Sequence, residues 1–156
     1  KIIKDEITDG VIFNPITNDF FWASKGAGAW CNNTRLRVSK RENLEECVIG
    51  VGIPHLGRIY NNYIKEIDQI TKECSGLRRM GSAALDLAYV AAGKLDAYWE
   101  RGLNLWDMAA GVLLIKEAGG KVTEPSGKPW TIKSKDILAS NLTIHEKIQK
   151  KLVISN

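Results

Sequence analysis

Near residue 40 the sequence changes its period, and few architectures accommodate both halves. Before that point, short apolar runs are broken by turn dipeptides. Val11-Ile12-Phe13 stops at Asn14-Pro15, and Asn18-Asp19 reverses the chain into Phe20-Phe21-Trp22-Ala23. Gly26-Ala27-Gly28 leads into Ala29-Trp30, and Asn32-Asn33 into Arg35-Leu36-Arg37-Val38. These are hairpin signals. After residue 40, strand-like and helix-like runs alternate. The β-α-β-α order predicts a layered α/β domain whose helices cover a largely parallel sheet. The division expected is 1–40 as hairpins and 41–156 as the α/β part.

Within the second part, Cys47 to Ile53 reads as a strand ended by Pro54. A helix follows from Tyr60 to Lys72, with Tyr60, Tyr63, Ile64, Ile67 and Ile70 on one face. Leu77 to Met80 and Ala97 to Trp99 read as short strands, and Ile137 to Ala139 as another. Ser82 caps a helix that Gly93 stops, and Asp107 opens one closed by Gly119-Gly120. Val122-Thr123 leads into the turn Pro125-Ser126-Gly127, and Thr143 with Glu146 starts a last helix, apolar at Ile144, Ile148 and Leu152. Ser39 with Glu42 has the same capping-box spacing and predicts a helical turn.

Several function classes fall away at this level. No apolar run reaches the roughly 20 residues of a membrane helix, and Lys1-Ile2-Ile3-Lys4 is too short and charged for a secretory leader. Cys31, Cys47 and Cys74 are odd in number and scattered, so they predict free thiols in a reducing cytoplasm rather than zinc or disulfides. His55 and His145 stand far apart without ligand spacing. The net charge of +4 favours anionic partners, but Lys40-Arg41, Arg78-Arg79 and Lys150-Lys151 carry no interleaved aromatics, so no direct nucleic-acid motif is expected.

The stretch from Arg78 to Gly120 holds the chemistry. Gly81-Ser82-Ala83-Ala84 starts a helix on small residues, where free N–H groups can hold a phosphate or hydroxyl. Glu100 ends a strand, a position that in α/β sheets faces a ligand crevice. Asp107 begins a helix whose Ala109, Ala110 and Gly111 are all small. Gly inside a helix costs about 1 kcal/mol against Ala, so a close neighbour is expected there. An aspartate held rigidly at that place suits a hard cation. The remaining acids read as surface residues.

Gly81 to Gly93, Trp106-Asp107-Met108-Ala109-Ala110-Gly111 and Glu117-Ala118-Gly119-Gly120 together resemble the bacterial inositol monophosphatases of the extragenic-suppressor type. Gly10 to Pro15, Gly26 to Trp30 and Arg37-Val38-Ser39 fit the central hairpins of that family. The resemblance implies a layered α-β-α-β-α sandwich, of which this chain is the C-terminal portion with the last hairpins of an N-terminal sheet. It implies a magnesium-dependent phosphomonoesterase acting on inositol 1-phosphate or a related polyol phosphate, cytoplasmic and dimeric. It makes Asp107 a metal ligand that also touches substrate hydroxyls. It places Gly81, Ser82 and Ala83 on the polyol, Glu100 on a ring hydroxyl, and Arg78 on the substrate side. The other Mg2+ ligands of that family belong to motifs this sequence does not contain, so the chain alone is expected to be inactive. Fructose-1,6-bisphosphatase and adenosine-bisphosphate phosphatase are the related alternatives. A carboxylate at position 100 disfavours a second substrate phosphate. A regulatory protein that binds the transcription machinery is the alternative from another class.

Overall fold

The computed structural model describes residues 1–53 and 62–152. Pro54, His55 and Tyr60 lie outside them. The first forty residues form β1 (Ile2–Ile3), β2 (Glu6–Ile7), β3 (Asp9–Asn14), β4 (Asp19–Ser24), β5 (Gly28–Cys31) and β6 (Thr34–Arg35). The strands from β3 to β6 make a four-stranded antiparallel meander, in register Ile12↔Phe21 and Trp22↔Trp30. Alternation gives the sheet two faces. Gly10, Ile12, Phe21, Ala23 and Ala29 point inward and are buried, while Val11, Phe13 and Phe20 are exposed on the other face. On that outer face Trp22 stacks on Trp30 at 5.8 Å, and the Arg35 guanidinium lies over Trp30.

The rest of the chain runs β7 (Val48–Val51), α1 (Tyr63–Thr71), β8 (Gly76–Arg78), α2 (Ala83–Ala91), β9 (Ala97–Glu100), α3 (Leu105–Glu117), β10 (Lys121–Thr123), β11 (Ile137–Ser140) and α4 (His145–Leu152). Its five-stranded sheet has the order β10-β11-β9-β7-β8. β7 is parallel to both β8 and β9, whereas β11 is antiparallel to β9 and to β10. The sheet is therefore mixed rather than largely parallel. A strand buried on both faces is an apolar run in either direction, so its polarity is set by the connections and not by its own pattern.

Two cores flank this sheet. α2 and α3 fill the space between the two sheets, joining Ile12, Phe21 and Ala29 to Leu87, Met108, Leu114, Tyr98 and Ile137. α1 and α4 cover the opposite face through Tyr63, Ile70, Ile148 and Leu152 against Ile49, Trp99 and Leu138. The chain thus supplies four layers, β-α-β-α. The small residues of α3 have the close neighbours expected of them. A Cβ on Gly10 would sit 2.9 Å from Ala110 Cα, and a Cβ on Gly111 would sit 2.5 Å from Leu87 Cβ. Glu117 then fastens the end of α3 to the β4–β5 turn, its two carboxylate oxygens accepting from the Gly26 and Gly28 N–H groups at 2.8 and 2.9 Å.

Local expectations fail in four places. Ser39 and Glu42 start no helical turn; the single 3-10 turn of that region is Leu44–Glu46, and Ser39 Oγ instead accepts from Asn141 Nδ2. Asn141, not Thr143, caps α4, its Oδ1 accepting from the Thr143 and Ile144 N–H groups. On α1, Ile64 is exposed while Glu66 is buried beside Tyr63 and Ile70, because Arg101 reaches Glu66 from the end of β9 and pairs with it. Nor are the acids all superficial: Glu66, Asp86 and Asp96 are buried. Asp96 accepts from the Val48 N–H and pairs with Arg41. The three cysteines are free thiols. Among the described residues no helix is long and apolar enough to cross a membrane.

Candidate functional site

A cavity of about 400 Å³ opens where β7 and β9 end and where α2 and α3 begin. This is the edge at which strand C-termini and helix N-termini of an α/β sheet meet, so carboxylates and free N–H groups converge there. Gly81, Ser82, Ala83, Glu100 and Asp107 all line it. Arg78 does not. It lies on the edge strand β8, folded over Gly76, and donates to the Leu77 carbonyl oxygen at 2.9 Å. Its neighbour Arg79 lines the cavity instead.

Each lining group has a local cause. Gly81 takes φ +85°, a conformation favouring glycine, which turns the chain from β8 toward α2. Ser82 is the extended N-cap of α2, with Oγ 3.5 Å from the Leu85 N–H. Asp107 is not the first residue of its helix. Asn104 is the N-cap, and Asp107 sits three residues in, where its Oδ2 accepts from the Asn104 N–H at 2.9 Å. That bond fixes the carboxylate at the cavity wall. Trp106, beside it, is 78% exposed on the cavity rim.

Steric clearance and the Tyr98 hydroxyl both place Glu100. The Gly52 N–H bonds to the Trp99 carbonyl oxygen, so Gly52 lies beside Glu100. A Cβ on Gly52 would fall 1.9 Å from Glu100 Cδ, so only glycine admits this carboxylate. The Tyr98 hydroxyl donates to Glu100 Oε2. Burial pushes the Tyr98 ionisation far above the usual phenol range, which keeps it a donor. The loop after Glu100 is anchored in turn: Arg101 joins Glu66 and Asp136, and the Gly102 N–H donates to Asp136.

One acidic cavity residue escaped the sequence reading. Asp86 of α2 lines the floor and is only 1% exposed. Burial, and secondarily the Glu100 charge, pushes its carboxyl up to about 7. Available signals were its position as the single acid in the run Ala83 to Ala92 and the alternating pair Gly50 and Gly52.

Magnesium needs several oxygen ligands. Among the described residues no group of three or more His, Cys, Asp or Glu side chains could hold a metal ion. Asp107 alone, with one oxygen already engaged by Asn104, does not make such a site. The groups lining the cavity are suited to hydroxyls and anions. Glu100 suits hydroxyl donors, while the N–H groups opening α2, together with Arg79, suit acceptors.

The comparisons with known proteins bear on the family and the fold. The inositol monophosphatase family model matches residues 2–156. An inositol-1-monophosphatase of Caulobacter vibrioides is 47% identical over 149 residues, covering 94% of this chain and 58% of that protein. A protein of Pseudomonas aeruginosa named Nus factor SuhB is 44% identical over 141 residues, covering 88% of this chain and 52% of its own length. The crystal structure of extragenic suppressor protein SuhB from Bartonella henselae superposes with a TM-score of 0.91 at 47% identity, over 96% of this chain and 57% of that one. The chain spans a little over half the length of these relatives. A match of this length and identity, on a fold with the same layers, makes the chain a member of the inositol monophosphatase family.

Proposed function

We propose that the protein to which this chain belongs hydrolyses the phosphate monoester of a cyclic polyol, with inositol 1-phosphate as the type substrate, and that this cavity holds the leaving alcohol. The observation that carries the reading is the convergence of Glu100, Gly81 to Ala83 and Asp107 on one cavity. Glu100, oriented by Tyr98, accepts from a ring hydroxyl. The backbone at the start of α2 donates to another oxygen of the polyol. Asp107 accepts from a hydroxyl and contributes one carboxylate to a magnesium site whose remaining ligands this chain does not supply. Positioning of this kind accounts for much of the rate in phosphoryl transfer. A second phosphate beside Glu100 would be repelled, which disfavours bisphosphate substrates. The subdomain division at residue 40, dimerisation and a cytoplasmic location belong to the same proposal.

Glu100→Gln tests it. In the whole protein, KM for inositol 1-phosphate rises about tenfold or more, while turnover of an aryl phosphate without hydroxyls changes little. Equal losses on both substrates would remove Glu100 from polyol recognition. The relatives named Nus factor SuhB favour a second reading, in which the protein binds the transcription machinery. Capture of RNA polymerase that survives Asp107→Asn would separate that role from hydrolysis.

A further inference from the structure

The floor of the cavity carries an acid that the proposed reaction does not use. Gly50 in β7 and Gly52, one residue past its end and still bonded to the Trp99 carbonyl oxygen, are two residues apart and so share a face. Tyr98 and Glu100 do the same on β9, and Gly50 pairs with Tyr98 in register. The missing side chains of the two glycines clear space on that face. A Cβ on Gly50 would lie 3.2 Å from Asp86 Oδ1 and 3.1 Å from Tyr98 Cδ2, and one on Gly52 would overlap Glu100. Asp86 enters this space from α2. Its Oδ1 is buried without a hydrogen-bond partner, and among the described residues it has no ion pair. An isolated buried carboxylate is costly, and a second one beside it more so.

We propose that Asp86 is a positioning residue acting through Glu100: the glycine-cleared floor admits one negative charge, and Asp86 stays uncharged so that Glu100 can carry it toward a hydroxyl of the ligand. The inference rests on the reading of Glu100 as the polyol-recognising group. The groups facing this floor are Tyr98 and Glu100 from β9; Arg79, after β8, and Asp107, on α3, line the same cavity. Arg79 is exposed, and among the described residues it forms no ion pair with Asp86. When Asp86 ionises, the floor holds two charges. Repulsion then moves the Glu100 carboxylate off the Tyr98 hydroxyl, and a ligand hydroxyl loses its fixed acceptor. Rising pH therefore weakens polyol binding while leaving recognition of a phosphate alone untouched.

Two measurements test this, and they fail separately. The first is carbon-13 NMR of the Asp86 carboxyl in the 156-residue chain. It titrates near neutrality in the native sequence, and its midpoint falls when Glu100→Gln removes the neighbouring charge. A midpoint that Glu100→Gln does not move overturns the pair. The second follows KM in the whole protein between about pH 6 and about pH 8.5. For inositol 1-phosphate KM climbs about tenfold over that range, a climb that Asp86→Asn flattens; for an aryl phosphate there is no climb. An inositol 1-phosphate profile that Asp86→Asn leaves as steep as before overturns the positioning role even if the NMR shift is present. No turnover of either phosphate sinks the phosphatase reading, and the role in recognition with it, while the NMR midpoint still reports on the pair.

Discussion

Asp107 caps its helix, and the proposed function gives the same side chain a second task. Its Oδ2 closes the first turn of α3 on the Asn104 N–H, and an asparagine oxygen can accept that same bond. Asp107→Asn should therefore cost under about 1 kcal/mol of stability, the range of a changed cap and a lost dipole interaction. In the whole protein it should lower phosphatase turnover by at least about 10²-fold, the scale seen when a group stabilising transition-state charge is removed. Urea melts paired with phosphate-release assays would read the two effects apart. His145 is a purely structural counterpart. It is fully buried, with Nε2 2.9 Å from Thr123 Oγ1 and Nδ1 2.7 Å from Ser140 Oγ. Burial, and then the Lys121 charge, lowers its ionisation to about 4. The unfolded chain binds a proton there first, so this contribution to stability is complete above about pH 6.5 and is lost as pH falls toward 4. The shift corresponds to about 3 kcal/mol. Between those pH values His145→Gln should lose less stability than the native chain, by roughly that amount; parallel curves would refute it. The sequence showed Asp107 because its helix start is built of small residues. It did not show Asp86, because an acid in the first turn of a helix normally reads as a solvated, dipole-favoured residue.

Among the elements, α3 packs against both sheets and against α2, and its small residues are what permit this. Replacing Gly111 by Ala adds about 1 kcal/mol of intrinsic helix preference. The new methyl, however, meets Leu87 Cβ at 2.5 Å, well inside van der Waals contact and on a part of the side chain that cannot swing away. Overpacking of this kind costs about 1–3 kcal/mol, so packing wins and Gly111→Ala should be destabilising overall. Leu87→Ala removes the Cδ1 and Cγ atoms that the new methyl would meet at 2.7 and 3.1 Å but keeps the Cβ, so the two changes should couple by more than about 0.5 kcal/mol in a double-mutant cycle while part of the overpacking remains. Additive losses would mean the two helices do not meet there. The hairpins before residue 40 were legible because alternation and turn dipeptides act over a few residues. The direction of β11 was not, because it depends on how the chain returns across the sheet.

At the scale of the whole molecule, both cores are complete, yet the outer face of the hairpin sheet leaves Val11, Phe13 and Phe20 exposed beside the Trp22–Trp30 stack. With Asp107 as the one carboxylate proposed for metal, the isolated 156 residues should release phosphate from inositol 1-phosphate at no more than the buffer rate at any magnesium concentration. Turnover on the ordinary enzyme scale of about 1–10³ per second would show that the chain holds a complete site. The middle strand of the five-stranded sheet has a further consequence. β9 lies between β7 and β11, and Ala97, Tyr98 and Trp99 are wholly buried between the two cores. Amides in such a place exchange with deuterium only when the whole molecule unfolds, whereas edge strands and helix ends open locally. The Tyr98 and Trp99 amides should therefore be among the last to exchange. Glu100 is next in that strand, so its backbone should be anchored where local opening is rarest, and only its side chain is left free to respond to the charges around it.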